Sequence, residues 1–238
     1  MLRIKYSKTP DGRFLSHLDL LRAMERAFRR ADLPLLFSEG FNPHPRISFG
    51  SALAVGVTSD GEYLDVMLRE KIPTGEIRTR LDQAMPPALK ILDLREIEAG
   101  TDSLTATINM ARYTVRVSLL KPLDRQELDA ALSRAMAEPV FEVIRQTKKG
   151  AKKVNVRAGV FDLRGSVDDG VMTLQMDVKT GGEGSVRPEE VVEMIERLGP
   201  VRLAQVVLIH REGLFIREEG RIKSPLEFQT PGTNRPNA

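Results

Sequence analysis

The apolar positions of the first half repeat every second residue in some segments and at helical spacing in others. Leu2–Ser7 alternates apolar with mostly basic residues, which predicts a strand. Ser16 is predicted to begin a helix, because Asp19 follows three residues later, as in a capping box, and apolar residues then recur at helical spacing. The other elements predicted here are a helix at Thr74–Met85 and strands at Leu33–Phe37, Ile47–Val57, Glu62–Leu68 and Leu89–Ile97. The order of elements is β-α-β-β-α-β.

The second half repeats this order. The elements predicted there are helices at Asp124–Ala137 and Arg187–Leu198 and strands at Ala111–Leu119, Val140–Arg145, Val154–Leu163, Val171–Val178 and Val201–His210. Two split βαβ units in succession predict an α+β fold of two tandem ferredoxin-like domains with antiparallel sheets. We place these domains at residues 1–98 and 110–222. Residues 223–238 are predicted to be a disordered tail, because Pro, Asn and Gly accumulate there.

Composition limits the possible functions. The 238 residues suit two domains, no run of about 18 apolar residues could span a membrane, and the N-terminus lacks the apolar centre of a signal peptide, so we expect a cytoplasmic protein. The absence of cysteine excludes disulfides, thiolate metal sites, iron–sulfur clusters and a cysteine nucleophile. The three histidines could bind a metal only if all of them converge. We therefore expect neither a metal nor a cofactor.

The net charge is only +3, so the position of the basic residues matters more than their number. Arg22, Arg26 and Arg29 recur at helical spacing on the solvent face of the first helix, and residues 145–157 contain six Lys or Arg and no acid. Both patches suit a phosphate backbone, although solvated surface explains them equally well. The basic residues that we select as RNA or partner contacts are Arg22, Arg26, Lys148, Lys149, Lys152, Lys153 and Arg157.

The segment Phe37–Gly50, FSEGFNPHPRISFG, predicts a rigid loop. Prolines on both sides of His44 fix the backbone, and Gly40 permits a positive φ. Such a loop presents polar side chains at a low entropic cost. In the alternative interpretation it is a structural turn in which Asn42 caps a strand and Phe41 is buried. The residues that we select as contacts here are Glu39, Phe41, Asn42, His44, Arg46 and Ser48.

His17 has two interpretations. At the start of the first helix it could pack beneath the helix, or it could act with His44 as an acid–base pair, with Arg46 stabilising developing charge. These three residues are the only catalytic candidates. The sequence alone does not choose between the two roles.

The segment from Phe14 to Val66 resembles the radical-SAM-linked protein family, most specifically in the motif SEGFNPHPRISFG. That family is a bacterial domain of unknown function, encoded beside or fused to cobalamin-type radical SAM proteins. The resemblance implies a radical SAM protein as the partner, in the context of RNA processing, and it provides no catalytic residues. Without cysteine, this chain cannot be the radical SAM enzyme itself.

The first helix is also similar in character to that of the repeat-associated RNA endonucleases of CRISPR systems. Those enzymes pair two ferredoxin-like domains, and some cleave RNA with a histidine near the first helix. Their glycine-rich terminal loop has no clear equivalent here, because REGLFIREEGRIKSP is mostly charged. This resemblance concerns the fold and does not establish an activity.

Three hypotheses follow for function. The first is a non-catalytic RNA-binding or substrate-presenting partner of a radical SAM enzyme, the second a metal-independent RNA endonuclease using His17 and His44, and the third a protein-only adaptor. Aromatic residues make up only 5% of the chain, with Phe41, Phe49 and Tyr63 as candidates for base stacking. This scarcity favours duplex or structured RNA over single strands.

Overall fold

The computed structural model describes residues 1–98, 100–147 and 150–227. The helices are α1 (His17–Arg30), α2 (Thr74–Ala84), α3 (Leu104–Thr107), α4 (Arg125–Ala137) and α5 (Pro188–Leu198). The strands are β1 (Leu2–Lys8), β2 (Ile47–Phe49), β3 (Thr58–Val66), β4 (Leu89–Glu96), β5 (Met110–Leu119), β6 (Glu142–Thr147), β7 (Gly150–Asn155), β8 (Val160–Asp168), β9 (Val171–Lys179), β10 (Leu203–Glu218) and β11 (Arg221–Lys223). The fold is therefore α+β, and its strand pairs are mostly antiparallel.

The chain forms two compact units. Unit 1 consists of Met1–Ile108 together with the described residues from Leu214 onward, and unit 2 is Asn109–Gly213. In unit 1, β1 pairs antiparallel with both β3 and β4, and β2 pairs antiparallel with β3. In unit 2, β9 pairs antiparallel with both β5 and β8, while β10 lies on the other side of β5. The strands β6 and β7 form a separate hairpin.

The core of unit 1 lies between its sheet and two helices. Ile4 of β1 and Leu64 of β3 pack against Met24 and Phe28 of α1 and against residues of α2. The start of α1 is confirmed, because Ser16 Oγ accepts a hydrogen bond from the Asp19 backbone N–H at 3.2 Å in a capping box. Capping by Ser16 thus fixes where α1 begins, and the apolar stripe fixes which face it buries.

Two predicted features of unit 1 are wrong. Leu33–Phe37 is not a strand and makes only isolated bridges, because Pro34 and Pro45 lack the N–H groups that a ladder requires. The predicted strand Ile47–Val57 is too long, because β2 ends at Phe49. Asp60 and Gly61 lie inside β3 at a point where its register with β1 shifts. They form a β-bulge, which bends the strand without ending it.

The segment between the two predicted domains is not a purely polar linker. It contains α3, and both Leu104 and Ile108 are buried. Of the predicted tail 223–238, Lys223 ends β11 and Leu226 is buried, whereas residues 228–238 lie outside the described residues. No helix in the described ranges is both long and apolar enough to cross a bilayer.

Candidate nucleic-acid interface

The loop between α1 and β2 is closed by its own backbone. The Arg46 N–H donates to the Leu36 carbonyl at 2.8 Å, and the Ser38 N–H donates to the His44 carbonyl at 2.8 Å. The His44 N–H donates in turn to Ser38 Oγ at 3.1 Å. These three bonds clamp the loop between residues 36 and 46, so residues 39–43 form a short tip. We call residues 36–46 the clamped loop.

The clamped loop is fastened to the end of β3. The Leu36 N–H donates to the Met67 carbonyl at 2.9 Å, and the Met67 N–H donates to the Arg46 carbonyl at 3.0 Å. The next residue, Ile47, then begins β2 opposite Val66. Backbone hydrogen bonds therefore attach both ends of the loop to unit 1.

The tip of the clamped loop is exposed to solvent. Phe41 has a relative exposure of 106%, so the alternative in which Phe41 is buried is wrong. Gly40 has a φ of 112°, which confirms the positive φ that its position predicts. The other predicted contact residues of this segment that are exposed are Glu39, Asn42, His44, Arg46 and Ser48. An aromatic ring is thus presented among polar side chains.

His17 does not pack beneath α1. It is exposed, because the buried face of the helix starts at Leu20. Its ring lies edge-on to Phe49, with the ring centres 5.3 Å apart. Within the described ranges, no hydrogen bond or ring contact joins His17 to His44. The acid–base pairing of these histidines stays a prediction.

Arg22, Arg26 and Arg29 lie exposed along α1, and we call them the arginine row. Among the described residues, none of the three forms an ion pair within 4.0 Å. The pKa of Asp19 is lowered mainly by its hydrogen bonds from Ser16, and further by the charges of Arg22 and Arg26. The row therefore offers cationic groups that the fold itself does not use.

In the basic segment of unit 2, residues 145–157, both arginines are bonded to other parts of the fold. Arg145 forms a bidentate ion pair with Glu190, and the Arg157 guanidinium donates to the Met136 carbonyl at 2.7 and 2.9 Å. Lys152 and Lys153 are exposed on β7, and Lys153 also pairs with Glu142 at 3.2 Å. The predicted contacts Lys148 and Lys149 lie outside the described residues.

Arg3 and Asp65 form a buried ion pair that the sequence did not reveal. Two bonds of 2.7 and 2.8 Å join their side chains, which are only 2% and 3% exposed. A third donor of Arg3 reaches the Pro225 carbonyl at 3.0 Å. The alternation of Arg3 and Lys5 with apolar residues looks like a solvent-facing pattern, and only the long-range pairing shows otherwise.

The aromatic residues available to a ligand differ from those expected. Tyr63 is buried, its hydroxyl lies 3.3 Å from Ser224 Oγ, and burial raises its pKa, so the prediction of base stacking by Tyr63 is wrong. Phe49 is half-buried. Phe14, which no sequence pattern singled out, is 67% exposed and lies under the Arg13 guanidinium, 4.5 Å from the ring centre.

In the part of the chain that the structure describes, no group of three or more His, Asp or Glu is placed to hold a metal ion. The candidate interface in unit 1 thus consists of exposed aromatic, amide and guanidinium groups.

Several solved structures of low sequence identity are similar to this chain. The chain is similar to a Cbf5–Nop10–Gar1 complex at 9% identity and a TM-score of 0.50, covering 88% of this chain and 47% of that one. It is also similar to an archaeal box H/ACA sRNP Nop10–Cbf5 complex (10% identity, TM-score 0.49, 88% and 46% covered). A third similar structure is an H/ACA RNP bound to a substrate RNA containing 2'-deoxyuridine (10% identity, TM-score 0.48, covering 92% of this chain and 47% of that one).

These likenesses concern the fold, and the chain spans less than half the length of the chains it matches. No curated protein matches the sequence. A family model does match it, over residues 1–188. The chain therefore belongs to the family described as an uncharacterized protein conserved in bacteria, DUF2344.

Proposed function

We propose that this chain binds RNA and presents it to a radical SAM enzyme, without catalysing a reaction itself. The observation that carries the proposal is the fully exposed Phe41 at the tip of the clamped loop. An exposed phenylalanine gains free energy when a base stacks on its ring, and every base offers such a face. The surrounding Asn42, His44 and Arg46 supply hydrogen bonds to base edges and phosphate.

The clamp favours binding because the tip is already ordered. The bonds between Leu36 and Arg46 and between Ser38 and His44 fix the backbone before any ligand arrives. Association therefore loses little conformational entropy at this loop, and that loss is one of the main costs of binding. A flexible glycine-rich loop of the same length would lose more.

Phosphate contacts would come from exposed cations in each unit. In unit 1 these are Arg22 and Arg26 of the arginine row, and in unit 2 they are Lys152 and Lys153. Arg157 contributes less than the sequence predicts, because its guanidinium is bonded to carbonyl groups of the fold. Lys148 and Lys149 remain part of the proposal. Such contacts position RNA without reading its sequence.

We further propose that each unit has the predicted ferredoxin-like arrangement, although the segment from Leu214 onward, predicted in the second domain, belongs to unit 1. In support, unit 1 has the antiparallel strand order β4-β1-β3-β2, and unit 2 has the order β10-β5-β9-β8 with the β6–β7 hairpin inserted. One of the similar structures contains a substrate RNA. Because its likeness lies in the fold alone, the RNA proposal depends on the surface groups and not on that structure.

Fluorescence anisotropy with labelled cellular RNA over a salt series tests RNA binding. We expect Phe41→Ala to weaken binding by about 1–3 kcal/mol, the usual value of one stacked base. Leu120→Ala is the matched control, since Leu120 is also an exposed apolar residue and lies in unit 2. No binding by the wild-type protein at low salt would contradict the proposal.

The radical SAM partner is a proposal from the family resemblance, and co-purification tests it. We expect the wild-type chain to retain a co-expressed radical SAM protein from the same genome. Loss of this retention in Asn42→Ala and Arg46→Ala, with RNA affinity unchanged, would instead support the protein-only adaptor. If the wild-type protein cleaves RNA in the presence of EDTA, and His17→Ala or His44→Ala abolishes this cleavage, the result would support the endonuclease hypothesis.

A further inference from the structure

We infer that Phe14, Leu18 and the arginine row form a track for single-stranded RNA along the outer side of α1. This inference rests on the proposed function, because it assumes that the chain binds RNA. It joins the phosphate contacts already proposed at Arg22 and Arg26 to an apolar end at Phe14 and Leu18, and it names the class of RNA that this surface binds. We call Phe14, Leu18, Arg22, Arg26 and Arg29 the α1 track.

One end of the α1 track is an aromatic platform. The Arg13 guanidinium lies 4.5 Å from the centre of the Phe14 ring, a cation–π stack, yet Phe14 remains 67% exposed. A planar base can therefore reach the ring. The guanidinium beside it adds a positive charge and a flat surface of its own, which also stacks on bases.

The platform has a fixed backbone. The Arg13 carbonyl accepts hydrogen bonds from the Gly56 N–H at 2.7 Å and from Lys8 Nζ at 3.2 Å. Lys8 is buried, and its ammonium also donates to the Ala54 carbonyl at 3.4 Å. The backbone next to Phe14 is thus held from two sides before a ligand binds, as the clamp holds the backbone near Phe41.

Leu18 extends the apolar end of the track onto the helix. It is 60% exposed in the first turn of α1, although Leu20 beside it is buried in the core. Arg22, Arg26 and Arg29 follow it at successive turns of the helix. From Leu18 to Arg29, neighbouring positions of the track are thus about 4.5–6 Å apart along the helix axis, at 1.5 Å per residue.

The charge of the track complements a phosphate backbone. The two acids of α1 are Asp19 and Glu25, and Glu25 is half-buried. The Asp19 carboxylate accepts hydrogen bonds from the Ser16 hydroxyl at 2.6 Å and from the Ser16 N–H at 3.3 Å. Three exposed guanidinium groups therefore outnumber one exposed carboxylate that is already bonded. Regularly spaced cations of this kind suit the phosphates of one strand.

The apolar end of the α1 track determines whether single-stranded or duplex RNA fits it. In a duplex the base faces are stacked on one another and cannot reach Phe14, whereas an unpaired base can turn onto it. The number of available aromatic residues does not rise above the expected three, because Tyr63 is buried and Phe49 is half-buried. The position of Phe14 favours a single strand instead: its exposed ring lies beside the Arg13 guanidinium and just before the helix that carries the arginine row.

Anisotropy with labelled oligo-uridine, free or annealed to oligo-adenosine, tests the inference. We expect Phe14→Ala to weaken single-strand binding by roughly 5- to 100-fold and duplex binding by less than about twofold. Phe14→Tyr, which keeps an aromatic ring, should retain most of the affinity. Arg22→Gln with Arg26→Gln should lower the single-strand salt slope by about 1.4, because each phosphate that the protein neutralises adds about 0.7 to that slope.

The outcomes distinguish failure of this inference from failure of the proposed function. Loss of binding in Phe41→Ala with no effect of Phe14→Ala or of the arginine pair overturns the α1 track and leaves RNA binding intact. Absence of wild-type binding to either RNA overturns both. If Phe14→Ala impairs retention of the radical SAM protein and leaves RNA affinity unchanged, the track is a protein surface and the inference is wrong. Thermal denaturation of each variant checks that the fold is preserved.

Discussion

Unit 1 contains arginines in two contrasting environments. Arg3 lies in the middle of the sheet, where it pairs with Asp65 and is 2% exposed. The arginine row lies on the outer side of α1, where its three guanidinium groups are exposed and form no ion pair among the described residues. The buried arginine is part of the fold, because removing it leaves a charge without a partner. The exposed ones are available to a ligand, because surface charge contributes little to stability.

The strongest test of this contrast is Arg3→Ala. We expect it to lower the free energy of unfolding by about 3–5 kcal/mol, because Asp65 would remain buried and charged without its partner. Urea denaturation measures the loss. The double variant Arg3→Met with Asp65→Leu should be more stable than Arg3→Ala. A loss below about 1 kcal/mol in Arg3→Ala would mean that water replaces the guanidinium.

Replacing Arg145 in unit 2 should lower the free energy of unfolding by less than replacing Arg3. It bonds both Glu190 and the Ser185 carbonyl, and its side chain is 16% exposed. We expect Arg145→Ala to cost about 1.5–3 kcal/mol, the usual contribution of hydrogen bonds to charged groups. RNA affinity should change less than for Lys152→Ala, since Lys152 is exposed. The opposite ranking, measured by anisotropy, would assign Arg145 to the ligand surface.

Arg22→Ala should change stability by less than about 0.5 kcal/mol, because an exposed charge with no ion pair contributes little to the fold. The same substitution should reduce the salt slope of RNA binding by roughly 0.7–0.9, as expected for one phosphate contact. Denaturation and anisotropy on one preparation separate the two effects. A large loss of stability would show that Arg22 supports the fold as Arg3 does.

The smallest effect concerns the pKa of Asp19. Bonds from Ser16 and then the charges of Arg22 and Arg26 hold it below the ordinary aspartate value. Ser16→Ala should raise this pKa, and Arg22→Gln should raise it less, which an NMR titration measures. Because the folded-state pKa is lowered, the capping contribution is present above the unfolded-state pKa. It is lost as the pH falls through the folded-state value.

Sequence patterns predicted the features that depend on near neighbours. The start of α1 follows from Ser16 and Asp19, and the positive φ in the clamped loop follows from Gly40. They did not predict which polar residues are buried. Arg3 and Lys5 alternate alike along β1, yet only Arg3 finds Asp65 and Pro225. Burial of that kind depends on contacts between distant parts of the chain.

The same limit applies to the candidate site. Exposure of Phe41 was one of two open interpretations, because a proline-rich loop can bury or present an aromatic ring. No pattern indicates the exposure of Phe14, because it lies outside any regular element, and the stacking predicted for Tyr63 is wrong, because Tyr63 is buried with its hydroxyl next to Ser224. Neither arrangement leaves a periodic signal in the sequence.

The bond between Arg3 and Pro225 also has a consequence for synthesis on the ribosome. Its two residues lie 222 positions apart. The native contacts of unit 1 therefore cannot all form until the chain has been translated past Pro225. Unit 2 is a continuous segment, Asn109–Gly213, and is complete earlier. The N-terminal unit should therefore be the last to reach its native state, contrary to the usual order in which N-terminal domains fold first.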